Sequence, residues 1–153
     1  MSKGEKLVVK LGCFALVFLV TLPCLSQPGS LNGKVVIAGT GPQIETSIDI
    51  IASALDKRGI PYKVVGESPR RAENDKLADS GALSLLYLNQ EIVLHSRPKL
   101  VATCYDAKGT VLWQEETNAS FTMTQVGSAK TLAERIAKKI SNPGFGGACF
   151  PSK

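Results

Sequence analysis

A few short patterns in this chain carry the residue types that chemistry needs. Gly39-Thr40-Gly41 follows an apolar run and precedes a helical pattern, a place where glycine leaves backbone N–H groups open to a phosphate at a helix start. Glu67, beyond the next expected strand, lies near where a ribose-binding carboxylate would fall. The fingerprint is incomplete, however. Ile44 stands at its third glycine, and the interval from Gly39 to Glu67 is 28 residues against about 20 to 25 in dinucleotide sites. A tight strand-to-helix turn accounts for the same glycines. His95 is the only histidine, and no carboxylate or cysteine stands beside it at a metal-ligand spacing. Pairing of His95 with Cys104 in catalysis is less economical than a loop position for the first and a bridge or core position for the second. Glu115-Glu116 offers two carboxylates, but neighbours in a strand point to opposite faces and cannot grip one atom together. Asn118-Ala119-Ser120 matches an N-glycosylation acceptor, which matters only in a eukaryotic secretory pathway. No catalytic residue, no cofactor and no metal site is therefore expected.

The cysteines say more, because the amino-terminal segment sets their compartment. Lys3, Lys6 and Lys10 precede an apolar run from Leu11 to Leu25, Pro23 breaks it, and Cys24-Leu25-Ser26 supplies small residues for cleavage. That is the layout of a signal peptide over 1–26. Its apolar run is 15 residues, short of the roughly 18–20 that cross a bilayer. Pro23 beside Cys24 argues against lipidation, so no stable membrane anchor is expected after cleavage and the mature chain starts at Gln27. Cys13 and Cys24 leave with the leader. Cys104 and Cys149 remain, and two thiols in an oxidising compartment suggest one disulfide. It would close a loop of 45 residues, worth roughly 3–4 kcal/mol in the chain-entropy model. The competing reading is two buried free thiols.

Charge narrows the partners. The 18 Lys and Arg against 13 Asp and Glu give a net +5, and losing the leader reduces this to +3. The cations are scattered among acids, with Arg70-Arg71 and Lys138-Lys139 among the few adjacent pairs, so a nucleic-acid partner is not expected. A protein partner is, although nothing identifies it or the oligomeric state.

Residues 27–33 hold Pro, Gly, Ser and Asn without periodicity and read as a flexible leader; 34–153 then read as a single α/β domain. Lys34 to Ala38 is a short apolar run, as in an interior strand. Pro42 suits a first helical position. Ile44, Ile48, Ile51 and Leu55 repeat at helical spacing, Gly59 ends that helix, and Tyr62 to Val65 is a second strand, which completes a βαβ unit. The polar stretch 68–80 predicts at most a short, surface-lying helix, and Ala82 to Leu94 is strongly apolar. Leu100–Tyr105 and Val111–Thr117 flank Asp106-Ala107-Lys108-Gly109 and form a hairpin. Alternation places Val101, Thr103 and Tyr105 on one face and Leu100, Ala102 and Cys104 on the other, with Val111 and Trp113 sharing a face and Trp113 pairing with Tyr105 across the strands. A last helix runs from Ser128 to Ser141. The fold expected is α/β of the α+β kind: a mixed sheet with a βαβ unit, an antiparallel hairpin and a carboxy-terminal helix, its two main helices on one face.

The order Lys34-Val-Val-Ile-Ala, the helix ending Ala-Leu-Asp-Lys-Arg-Gly59, Tyr62-Lys-Val-Val, Gly109-Thr-Val-Leu-Trp113 and Ala133-Glu-Arg-Ile-Ala-Lys-Lys-Ile140 resembles the small envelope α/β domains of bacteria. These are the amino-terminal domain of TolB and the curli secretion lipoprotein group. The resemblance implies a non-enzymatic module that docks other envelope proteins through a sheet edge or a helix face. The chain so read is periplasmic or secreted. Two alternatives stand beside this reading: an exported enzyme or nucleotide-binding protein centred on Gly39-x-Gly41, and a secreted inhibitor or effector acting through the tail Pro143–Lys153. The mass of the exported protein is expected to correspond to a start at Gln27, and neither Cys104 nor Cys149 should take up an alkylating reagent in the unfolded, unreduced chain. Two alkylated thiols would rule out the bridge.

Overall fold

From Val35 to Ala38 no residue is more than 2% exposed, which requires a strand covered on both faces. The computed structural model describes residues 31–71, 73, 77, 80–93, 96–120 and 124–150 and places this run in the interior of a sheet, one strand in from its edge. In chain order the elements are β1 (Val35–Thr40), α1 (Ile44–Lys57), β2 (Tyr62–Glu67), β3 (Ser84–Glu91), β4 (Lys99–Asp106), β5 (Val111–Asn118) and α2 (Gln125–Ile140), followed by a single 3-10 turn at Gly147–Cys149. The strands lie in the order β2-β1-β3-β4-β5. β1 runs parallel to both its neighbours, β2 and β3, and β3, β4 and β5 then alternate in direction. This is the mixed α+β sheet expected, with α1 and α2 together on one face. The expected signal peptide, 1–26, lies outside the described residues.

Two core clusters follow from the alternation of β1, β3 and β4. Val35, Ile37, Leu86, Leu88, Leu100 and Ala102 point to the helices. Ile44, Ile48, Ile51 and Leu55 meet them from α1, and Leu132, Ala133, Ile136 and Ile140 from α2. All eight are 2% exposed or less, and truncating a buried Leu or Ile to Ala costs about 2–5 kcal/mol. Gly59, at φ 66°, stops α1 by letting the chain turn back so that Ile60 N–H bonds the Leu55 carbonyl at 3.0 Å. α2 begins three residues before Ser128 because Thr124 caps it, its hydroxyl accepting the Gly127 N–H at 3.1 Å. Pro42 also departs from its expected place. It lies in the turn before α1, and Gln43, in the left-handed region at φ 60°, occupies the cap.

The second cluster, Val36, Ala38, Leu85, Tyr87 and Tyr105, faces the other way and is closed by Leu77 and Ala82. The described residues of 70–80 are helical, yet Leu77 and Glu73 are each only 3% exposed, so this stretch covers the sheet instead of lying free on the surface. Leu77 packs over the pleated face and joins the cluster. The leader expected to be flexible over 27–33 is likewise held at its end: Asn32 bridges to Ala82, Gly33 N–H bonds the Gly81 carbonyl at 3.1 Å, and Leu31 packs on this cluster.

The β4–β5 hairpin turns through its aspartate. Asp106 Oδ1 accepts the N–H groups of Lys108 and Thr110, both at 2.8 Å, while Gly109 takes φ 81°. A bulge corrects the expected register. Cys104 stands opposite Trp113 but Tyr105 opposite Val111, so Leu112 is the extra residue. Val111 and Trp113 therefore lie on opposite faces, and Trp113 does not pair with Tyr105. The two turn bonds, with that from Thr110 foremost, hold the Asp106 carboxyl below its ordinary value of 3.8. A lowered folded value means the contribution is full above the ordinary value and is lost as pH falls through the folded one. An NMR titration should place the midpoint below 3.8, and Asp106→Ala should remove the acid-dependent loosening of the hairpin. A midpoint at or above that value would contradict the turn geometry.

Candidate functional site

In α/β sheets a ligand crevice opens outside the carboxyl ends of parallel strands where the strand order reverses. Here that point lies between β1 and β3, at Gly39-Thr40-Gly41, the turn singled out in the sequence. Its glycines serve close packing. A Cβ on Gly39 would stand 2.6 Å from the Leu88 carbonyl oxygen and 2.8 Å from the Ile44 side chain. One on Gly41, at φ 116°, would stand 1.9 Å from the Gln90 carbonyl oxygen. Gln90, itself 2% exposed, fills the place. Its Nε2 donates to the Pro42 carbonyl at 2.7 Å, and its Oε1 accepts from the buried Ser47 hydroxyl of α1. Glu45, in the first turn of α1, accepts the Glu67 N–H at 3.1 Å. The chain thus sets its own amide in the crevice and its own carboxylate at the helix start, where an anionic phosphate would meet repulsion.

The remaining sequence candidates are dispersed. His95 lies outside the described residues. Glu115 and Glu116 point to opposite faces, as adjacent strand residues must: Glu115 pairs with Lys139 of α2, and Glu116 reaches the Asn118 amide at 3.4 Å. Asn118 is exposed at the end of β5, where its carbonyl accepts from Arg135. Cys104 and Cys149 are brought together and joined, with Cα atoms 6.2 Å apart and both residues fully buried.

The tail proposed as an effector loop is anchored in the core by Cys149 and Phe150, with Phe145 half-buried against them, while Pro143, Gly144, Gly147 and Ala148 are exposed. Phe150 is 2% exposed, and Trp113 packs against Phe145 and Phe150 with ring centroids 5.1 and 5.9 Å away. Arg58, at the end of α1, donates to the carbonyls of Ile140, Pro143 and Phe145 at 2.9–3.1 Å and stacks over Phe150. Ser84 donates to the Cys149 carbonyl at 3.1 Å. No motif announced Arg58; the only sequence signal was a cation at a helix end facing a Gly-rich tail.

Sequence reasoning also missed two surfaces. On the sheet face away from α1 and α2 is a shallow polar basin of about 480 Å³, walled by Arg70 and floored by Tyr87, Thr103 and Tyr105. Arg70 donates to the Tyr105 hydroxyl at 3.1 Å and lies over its ring, and the Tyr87 hydroxyl donates to the Ser68 carbonyl at 2.9 Å. Burial holds the Tyr87 phenol above its ordinary 10.0, with Arg70 pulling partly against it, so this hydroxyl stays a neutral donor at physiological pH. The second surface is an open groove of about 660 Å³ between β5 and α2. Both became visible only once the strand order was known, because they join residues from distant elements.

The architecture is that of a five-stranded mixed sheet with two helices on one face. No family model matches the chain, and no curated protein matches it. Among solved structures it is similar to the PelC dodecamer of Paraburkholderia phytofirmans, at 15% identity and a TM-score of 0.46, covering 73% of this chain and 89% of that one. A point variant of the same PelC dodecamer gives 15%, 0.45, 73% and 90%. A minor lipoprotein of Acinetobacter baumannii is similar at 12% identity and a TM-score of 0.37, over 71% of this chain and 91% of that one.

The plugged turn makes its own test. Gly41→Ala forces a side chain into a backbone oxygen at a positive φ, which alone costs about 1–3 kcal/mol. Gln90→Ala leaves the buried Ser47 hydroxyl unpaired, at roughly 1–3 kcal/mol. Urea unfolding should show both losses; wild-type stability in Gly41→Ala would mean the turn is roomier than this packing allows.

Proposed function

We propose that this chain is an exported, non-enzymatic α/β module that binds or assembles with another protein in the periplasm or outside the cell. One observation carries the reading. α1, α2 and the tail seal one face of the sheet, yet at both ends of the sheet no further strand follows among the described residues. β2 ends it on one side with Val64 and Val65 exposed by 40% and 39%; β5 ends it on the other with Val111 and Leu112 exposed by 51% and 37%. Edge strands present unpaired backbone groups to whatever approaches. Export is supported by the amino-terminal leader pattern and by the disulfide, which belongs in an oxidising compartment. Residues 34–153 act as one domain in this reading, with no cofactor called for.

Photo-crosslinking in the native cell tests it. A benzophenone side chain at Val65 on β2 or Gln114 on β5 should give discrete higher-mass adducts, and the same group at the exposed Lys57 of α1 should not. No adduct from either edge, or equal adducts from the helix position, would overturn the proposal.

A further inference from the structure

The two edges are not equivalent. β2 has six residues and an irregular register beside Val65; β5 has eight, and past its bulge at Leu112 it runs regularly from Trp113 to Asn118. β5 has α2 alongside, and three cations of that helix line the groove beside the strand. In the groove between them, β5 from Glu115 to Asn118 forms one wall and Arg135, Lys138 and Lys139 of α2 rise on the other. Lys139 is neutralised by Glu115. Arg135 donates to the Asn118 carbonyl, a neutral acceptor, so its charge is uncompensated. Lys138 is exposed and has no ion pair among the described residues. Glu116 also lines the groove, but it sits opposite Val101, on the face turned away from α2. Among the described residues, Arg135 and Lys138 therefore face the edge from the helix side without an ion pair, although Lys138 also lines the surface on its other side with Glu134 and Asp49.

From this, and resting on the reading of the chain as a binding module, we propose that β5 accepts an extended acidic segment of a partner protein as a sixth strand. Added strands gain affinity through backbone hydrogen bonds and specificity through alternate side chains. Because successive side chains of a strand point to opposite faces, an acid at every second position would present a row of carboxylates to Arg135 and Lys138. A second copy of β5 fits less well. It would carry its own Arg135 and Lys138 to the same place as its acids. Charged residues on an edge also guard against aggregation, but guarding explains neither the groove nor cations set on the neighbouring helix instead of on the strand.

The experiment uses the purified exported protein and fluorescein-labelled peptides of about ten residues, read by fluorescence anisotropy. Alternating Val-Asp should bind saturably, and alternating Val-Lys should not. The double variant Arg135→Gln with Lys138→Glu should weaken Val-Asp binding about tenfold or more, since both residues are exposed and the fold does not need their charge. Lys130→Glu, on the same helix but outside the groove, should leave it unchanged. N-methylation of alternate peptide nitrogens should abolish binding, because it removes the ladder donors. Absence of Val-Asp binding, equal binding of Val-Lys, indifference to the double variant, or a dimer in sedimentation that the double variant dissolves would each overturn the proposal. Edge-specific crosslinks in the cell alongside any of these results would leave the binding-module reading standing and remove only the acidic-strand partner.

Discussion

Cys149 and Phe150 occupy interior space on the helix side of the sheet that neither α1 nor α2 fills, and both are sealed from solvent. They reach it only because the segment after α2 is turned back, and three hydrogen bonds from the one guanidinium of Arg58 hold that reversal. The arrangement solves two problems with one side chain. Carbonyls at the end of α2 and in the Gly-rich turn would otherwise lack donors, and a cation at the negative end of both helices is electrostatically favoured. The disulfide then ties the same segment to β4. Trp113, on the helix side of β5, owes its packing to this fold-back, since its ring contacts are Phe145 and Phe150.

Local chemistry was legible wherever one element decides its own shape. The apolar spacing of α1, the Gly59 stop and the Asp106-to-Gly109 turn all read directly from residue types, and the structure has them with boundaries shifted by one or two residues. The start of α2 shifted by three because its cap, Thr124, is separated from the apolar stripe by polar and small residues. Trp113 was misplaced for a different reason: alternation holds only while the register does, and one extra residue at Leu112 inverts every face assignment beyond it. Composition alone does not announce a bulge. Among the described residues of 68–80, Leu77 packs on the sheet, a contact that the stretch, having no apolar period, does not announce.

The candidate site followed the same division. Glycines at a strand-to-helix turn are ambiguous by nature, since phosphate binding and close backbone packing ask for the same missing Cβ. The residue that resolves the ambiguity, Gln90, is about fifty positions away in the chain and becomes relevant only through the parallel pairing of β1 with β3. Edges and grooves are similarly invisible in sequence. Nothing in Val111–Asn118 says it is the last strand, and nothing in α2 says that its cations overlook that strand.

The bridge from Asn32 to Ala82 and the packing of Leu31 lead the incoming chain straight into β1, the strand held on both sides by parallel neighbours. Tension applied at Leu31 would therefore act along β1, lengthwise to both of its parallel ladders at once. Hydrogen bonds loaded in that way must give together, whereas a strand peeled from an edge gives them up singly. A pull at Leu31 would therefore meet the combined resistance of both ladders before β1 could slide free.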